Sequence, residues 1–119
     1  MWKYHGLKLT NIITNENAIG IMLIEKVESN VKINPVVWVK TVDTLYYETA
    51  CGSGSLAYGI YNYAQNGVKI VYLLQPSGYK IRVELNCEGK QIIKAKVSGV
   101  VNLSWNLQKY LVDRCYYIV

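Results

Sequence analysis

The chain has 119 residues, 51% of them apolar and 18% charged, which gives one domain with a real core and excludes disorder. Its net charge is +5, but the lysines are scattered and form no dense basic stripe, so no nucleic-acid partner is expected. No apolar run approaches the length of a membrane span, so no membrane partner is expected either.

The chain contains no Phe but 11 Tyr, so most of its aromatic bulk carries a hydroxyl and suits a half-wet core or an interface. Cys51, Cys87 and Cys115 are odd in number and widely spaced, with no CxxC pair, and His5 is the single histidine. That pattern argues against a metal site and against a disulfide framework, and it fits a reducing, cytoplasmic compartment. Residues 1–6 show no apolar h-region, so no secretory leader is expected.

Residues 1–18 read as an N-terminal extension in which Leu7, Leu9, Ile12 and Ile13 belong to a short helix or a strand. Ile19 to Glu25 is a continuous apolar run, the mark of a buried strand. Asn30, Asn34 and Pro35 punctuate the connection that follows, and Pro35 to Val42 is a second, β-branched strand. Asp43 to Ala50 is an approach segment. Ser53 to Gln65 predicts a helix with Leu56, Ile60, Tyr63 and Ala64 on one face and no charge anywhere, so it should be enclosed by protein. Gly67 suits its left-handed cap.

Strands are predicted over Val68–Leu74, Tyr79–Leu85, Gln91–Val97 and Val100–Trp105, with turns at Gln75–Gly78 and Cys87–Gly89. Residues 106–119 form a final strand or helix that docks on the rest. The expected class is α+β: one domain over 1–119, an antiparallel or mixed, barrel-like sheet wrapped around one central apolar helix.

The chemistry-bearing stretch is Glu48-Thr49-Ala50-Cys51-Gly52-Ser53-Gly54. Its small residues let the backbone approach a ligand. The helix start that follows offers unpaired N–H groups and a positive dipole end, a place to hold a carboxylate and keep a thiolate beside it. The bland alternative is a buried, inert cysteine. Cys87 and Cys115 lack any glycine-rich context and read as core residues, Trp38, Trp105 and the tyrosines as core or interface, and His5 as a surface residue.

This stretch resembles the C-terminal-domain signature of the diaminopimelate epimerase superfamily, an E-T-x-A-C-G-T-G motif opening a central helix. Leu74-Gln75-Pro76-Ser77-Gly78-Tyr79-Lys80-Ile81 resembles the family's turn and following strand, and Lys96-Val97-Ser98-Gly99-Val100-Val101 its late strand. The C-G-S-G form, the strand Ile19-Gly20-Ile21-Met22-Leu23 and the Q-P-x-G turn are most similar to the cofactor-independent histidine racemases of staphylopine-type opine metallophore biosynthesis. The resemblance implies a two-cysteine amino-acid racemase without cofactor. One thiolate removes the α-proton and a thiol returns one from the opposite face.

By that resemblance Cys51 is one acid/base, and the N–H groups of Gly52, Ser53 and Gly54 hold the substrate carboxylate. Glu48 and Asp43 face a neutral or basic amino acid. An Arg for a distal carboxylate is missing, as Asp43 and Thr44 stand in its place, so diaminopimelate is a poor substrate. The family places two such domains in one protein and this chain carries one motif. The expected partner is therefore a complementary N-terminal-type half or a second copy of the chain. The alternative is a non-catalytic carboxylate-binding or assembly domain of the same fold.

Overall fold

The computed structural model describes residues 16–102 and 109–117. The expected element around Leu7–Ile13, His5 and Trp105 lie outside them. Seven strands and one helix follow in the order β1 (Ala18–Val27), β2 (Asn30–Val39), β3 (Thr44–Tyr47), α1 (Gly52–Asn66), β4 (Ile70–Leu74), β5 (Lys80–Glu88), β6 (Gln91–Asn102) and β7 (Lys109–Tyr117). They form one mixed sheet in the order β1-β2-β4-β5-β6-β7, with β3 also paired to β2. The class is α+β, as the alternation of strand and helix signals implied. Among the described residues no helix is long and apolar enough to cross a membrane.

β1 and β2 form a hairpin that closes at Val27↔Asn30. The turn is therefore Glu28-Ser29, with Glu28 at φ 54°, and not the Asn30–Pro35 stretch. Asn34 and Pro35 lie inside β2, both buried. Asn34 can be buried there because Tyr47 Oη donates to its Oδ1 at 2.6 Å. Pro35 is tolerated because its carbonyl accepts from Glu48 N–H at 3.0 Å, beyond the end of β3, so its missing donor faces away from the β1 ladder. β2 ends at Val39, three residues earlier than expected, and residues 40–43 turn the chain into β3. That short strand was not expected, since Leu45, Tyr46 and Tyr47 are all exposed and show no alternation.

One edge of β2 is shared. Its far half, Val36–Val39, pairs antiparallel with β3, and its near half, Val31–Lys32, pairs parallel with Leu73–Leu74 of β4. The chain leaves β3 at Tyr47 and α1 begins at Gly52, so the Glu48–Cys51 loop departs from the point where the two partners of β2 give way to each other. β4 to β7 then continue as an antiparallel meander. β6 runs unbroken through Ser98-Gly99, where two strands were expected. β5 reaches Glu88, which moves the expected Cys87–Gly89 turn to Gly89-Lys90. The last element is a strand.

α1 packs on β1, β4, β5 and β6. Ile33, Leu73, Val83, Leu85, Ala95 and Val97 form the core, with Leu56, Tyr58, Ile60 and Tyr63 of the helix against it. Each such side chain is worth about 1.5–3 kcal/mol when fully buried. Gly59 allows the close approach: a Cβ there would lie 2.6 Å from Val83 Cγ1. Gly67 closes the helix at φ 71°, its N–H donating to Tyr63 O at 2.8 Å, as expected.

The helix is not enclosed. Only Gly54, Ser55 and Gly59 are buried, and Tyr61 is 60% exposed. Among the described residues no strand pairs with the outer edge of β1. β1 itself is half-buried to exposed. Its apolar run is that of an end strand with an uncovered flank.

Candidate active site

Cys51 is the N-cap of α1. Its backbone is extended (φ −138°, ψ 105°), and its Sγ turns back to accept from Gly54 N–H at 3.3 Å. A cap of this kind normally uses an oxygen. Here the thiol takes its place. The carbonyl of Cys51 accepts the first helical bond from Ser55 N–H at 3.0 Å and a second from Ser55 Oγ at 2.7 Å. Ser53 Oγ lies 3.5 Å from Sγ. Gly54 leaves room for Met22 and the thiol: a Cβ on it would push the end of the Met22 side chain aside and reach within 3.1 Å of Cys51 Sγ.

The loop is fixed from the β4–β5 turn. Gln75 Oε1 accepts from Cys51 N–H at 3.0 Å, and Gln75 Nε2 donates to Ser55 Oγ and to Leu73 O, both at 3.1 Å. Ser77 N–H donates to Thr49 O at 2.9 Å. Once these bonds are assigned, the N–H groups of Gly52 and Ser53 at the start of α1 are the ones left without a partner among the described residues. The resemblance offered Gly52, Ser53 and Gly54 as carboxylate donors; in the structure Gly54 is committed to the thiol.

A cleft of about 380 Å³ opens beside this helix start. Glu48, Cys51, Ser53 and Gly54 line it from the motif, Ala18, Ile19, Gly20 and Met22 from β1, and Val37 and Ala57 complete it. Four of the six expected site residues therefore face one space. Gly52, next to Cys51 at the helix start, is not among the lining residues. Asp43 is elsewhere: it sits in the turn before β3 at φ 46°, and its Oδ1 accepts from Trp38 Nε1 at 3.0 Å.

The thiol is pushed up from its ordinary value. Burial is the largest cause; the nearby Glu48 carboxylate adds to it, and Ser53 and the Gly54 N–H oppose it. Cys51 therefore carries its proton at neutral pH, where the sequence suggested a thiolate. A helix start alone favours the anion, but only 6% of the residue is exposed and the adjacent carboxylate disfavours a second negative charge. Among the described residues no group of three or more His, Cys, Asp or Glu comes together.

Sequence reading missed Gln75, Ser55 and Met22. Gln75 was taken as a turn residue and Ser55 as a helix residue, and neither carries a local signal of its role. The available hint was the run of Gln75 directly after five apolar strand residues, where a polar side chain is either solvated or pinned.

Comparison with known proteins bears on this geometry. Residues 3–110 match the model of the histidine racemase CntK N-terminal domain. A histidine racemase of Fusobacterium nucleatum subsp. nucleatum is 33% identical over 69 residues, which cover 56% of this chain and 26% of that protein. No solved structure matches. The match spans about a quarter of that relative's length. The matching model is of an N-terminal domain, whereas the motif resembled a C-terminal-domain signature. The comparison therefore places the chain in the other half from the one the resemblance implied. The chain belongs to the family of histidine racemase N-terminal domains.

Proposed function

We propose that this chain is the N-terminal half of a cofactor-independent, two-cysteine amino-acid racemase, with histidine or another neutral or basic amino acid as substrate. The observation that carries the reading is Cys51 beside the unpartnered helix-start N–H groups of Gly52 and Ser53, with Cys51 and Ser53 lining one cleft. Such donors bind the carboxylate of an amino acid and stabilise the negative charge that spreads onto it when the α-proton leaves. Cys51, held as a thiol, is the proton donor to one face. The second cysteine comes from the complementary half, or from a second copy across a two-fold axis. Its thiolate takes the proton from the other face. Glu48 is placed to meet the substrate amine. No cofactor is needed for this chemistry, and it suits a reducing, cytoplasmic setting in which the cysteines stay free.

The test is exchange of the α-proton of L-histidine with solvent deuterium, followed by NMR, for the chain with and without its complementary half. Exchange should appear and Cys51→Ala should abolish it. Exchange that persists in Cys51→Ala would overturn the assignment. The raised value of the Cys51 thiol favours one other reading, a carboxylate-binding domain without chemistry. Saturable binding of histidine with no exchange in the completed protein would establish that one instead.

A further inference from the structure

The most demanding side chain in the molecule is Gln75. It is 1% exposed although it follows the last residue of β4 and opens a turn. A buried amide is costly unless its polar atoms are all paired. Here they are: both Nε2 protons and Oε1 are used, as the three bonds above show. Its main chain is fixed as well, with its N–H donating to Tyr79 O and its C=O accepting from Gly78 N–H, both at 2.9 Å.

The pairing is aimed at one residue. Oε1 holds the N–H of Cys51 directly, and Nε2 holds its C=O through Ser55 Oγ, which donates to that carbonyl. Both flanking peptides of Cys51 are thereby tied to one amide on another element. Two consequences follow at the site. The extended backbone of Cys51 is what brings Sγ onto Gly54 N–H, so fixing the peptides fixes the sulfur. And the Cys51 N–H is consumed inside the protein, so the helix-start donors left without a partner narrow to Gly52 and Ser53, of which Ser53 lines the cleft. Without Gln75, the Cys51 N–H would be a buried donor with no acceptor, and the loop would have to turn outward to reach water.

We propose that Gln75 is the positioning residue of Cys51: its amide clamps the cysteine's peptides on both sides and so sets where the thiol sits and how deeply it is buried. The role rests on Cys51 being the reacting group, but its test needs no turnover. Alkylation of Cys51 by iodoacetamide is followed across pH on the whole chain, read at the Cys51 peptide by mass spectrometry, with Cys87 as the internal reference. Gln75→Met matches the side chain in length and removes every side-chain hydrogen bond, leaving the main-chain bonds in place.

The loop should loosen, burial should fall, and the pH midpoint of Cys51 alkylation should move down toward that of an ordinary thiol. At neutral pH its rate should rise about fivefold while the Cys87 rate stays fixed. An unchanged midpoint and rate at Cys51 would overturn the proposal. If Gln75→Met raises the Cys87 rate too, the variant has lost its fold and Ser55→Ala decides. That substitution cuts only the link to the carbonyl, and should shift Cys51 in the same direction by less. No shift at Cys51 in that variant overturns the proposal equally. Failure of deuterium exchange, with these shifts present, would sink the racemase reading and leave the clamp standing.

Discussion

At the scale of single residues, the site is a contest over one proton. Burial and the Glu48 carboxylate hold it on Cys51, while Ser53 and the Gly54 N–H pull toward the thiolate. The sign of a Glu48→Gln substitution follows. Removing the charge takes away one of the causes that raise the thiol, so its pKa falls and the thiolate fraction at neutral pH grows about threefold. The midpoint of iodoacetamide alkylation at Cys51 should move to lower pH, and an upward move would show that the carboxylate stabilises the anion through an intervening group. The same proton couples to folding. The folded state binds it more tightly than the unfolded chain, so this contribution to stability is fully present below the ordinary thiol value of 9.0 and is lost as pH rises through the folded value.

At the scale of elements, the helix is placed by a glycine. A Cβ at position 59 would stand 2.6 Å from Val83 Cγ1 and 3.2 Å from Val83 Cβ. The second atom cannot rotate away, so Gly59→Ala must push α1 off β5. Overpacking of this kind costs about 1–3 kcal/mol, against roughly 1 kcal/mol gained in helix propensity. A net loss of up to about 2 kcal/mol in urea unfolding is expected, and a stabilised variant would mean that the helix can slide freely on the sheet. The sequence made α1, its cap at Gly67 and the strands β4 and β5 legible, because periodicity and turn residues act locally, whereas it split β6 in two and left the last element open between strand and helix. It hid β3, whose exposed Leu45, Tyr46 and Tyr47 do not alternate. It also misplaced Asn34 and Pro35, which sit inside β2 with partners at and just beyond the end of β3, Tyr47 Oη and Glu48 N–H. Cys51, Glu48, Ser53 and Gly54 were readable because small residues at a helix start carry their own meaning. Gln75 was not, because its role exists only once β4 is laid beside the loop. Asp43 was misleading for the opposite reason: an acid near the motif in sequence is spent on Trp38 in space.

At the scale of the whole molecule, the uncharged helix lacks the enclosure its composition calls for. Beside the cleft, and sharing Met22 and Ala57 with it, a second hollow of about 320 Å³ is lined by Met22, Ile24, Ala57, Tyr58 and Tyr61. Ile24 is 39% and Tyr61 60% exposed. On the proposed function, apolar surface that continues directly from Cys51 is what a complementary half would cover on closing the cleft. Tyr61→Lys separates this from a role in folding. The side chain is mostly outside the core, so the thermal stability of this chain alone should change by no more than about 0.5 kcal/mol. Paired with the complementary half, the same variant places a charge in a dry interface. Association measured by sedimentation, or α-proton exchange in the completed protein, should weaken about tenfold or more. Equal association in both proteins would place the complementary half on another face and leave the exposed flank of α1 without a partner.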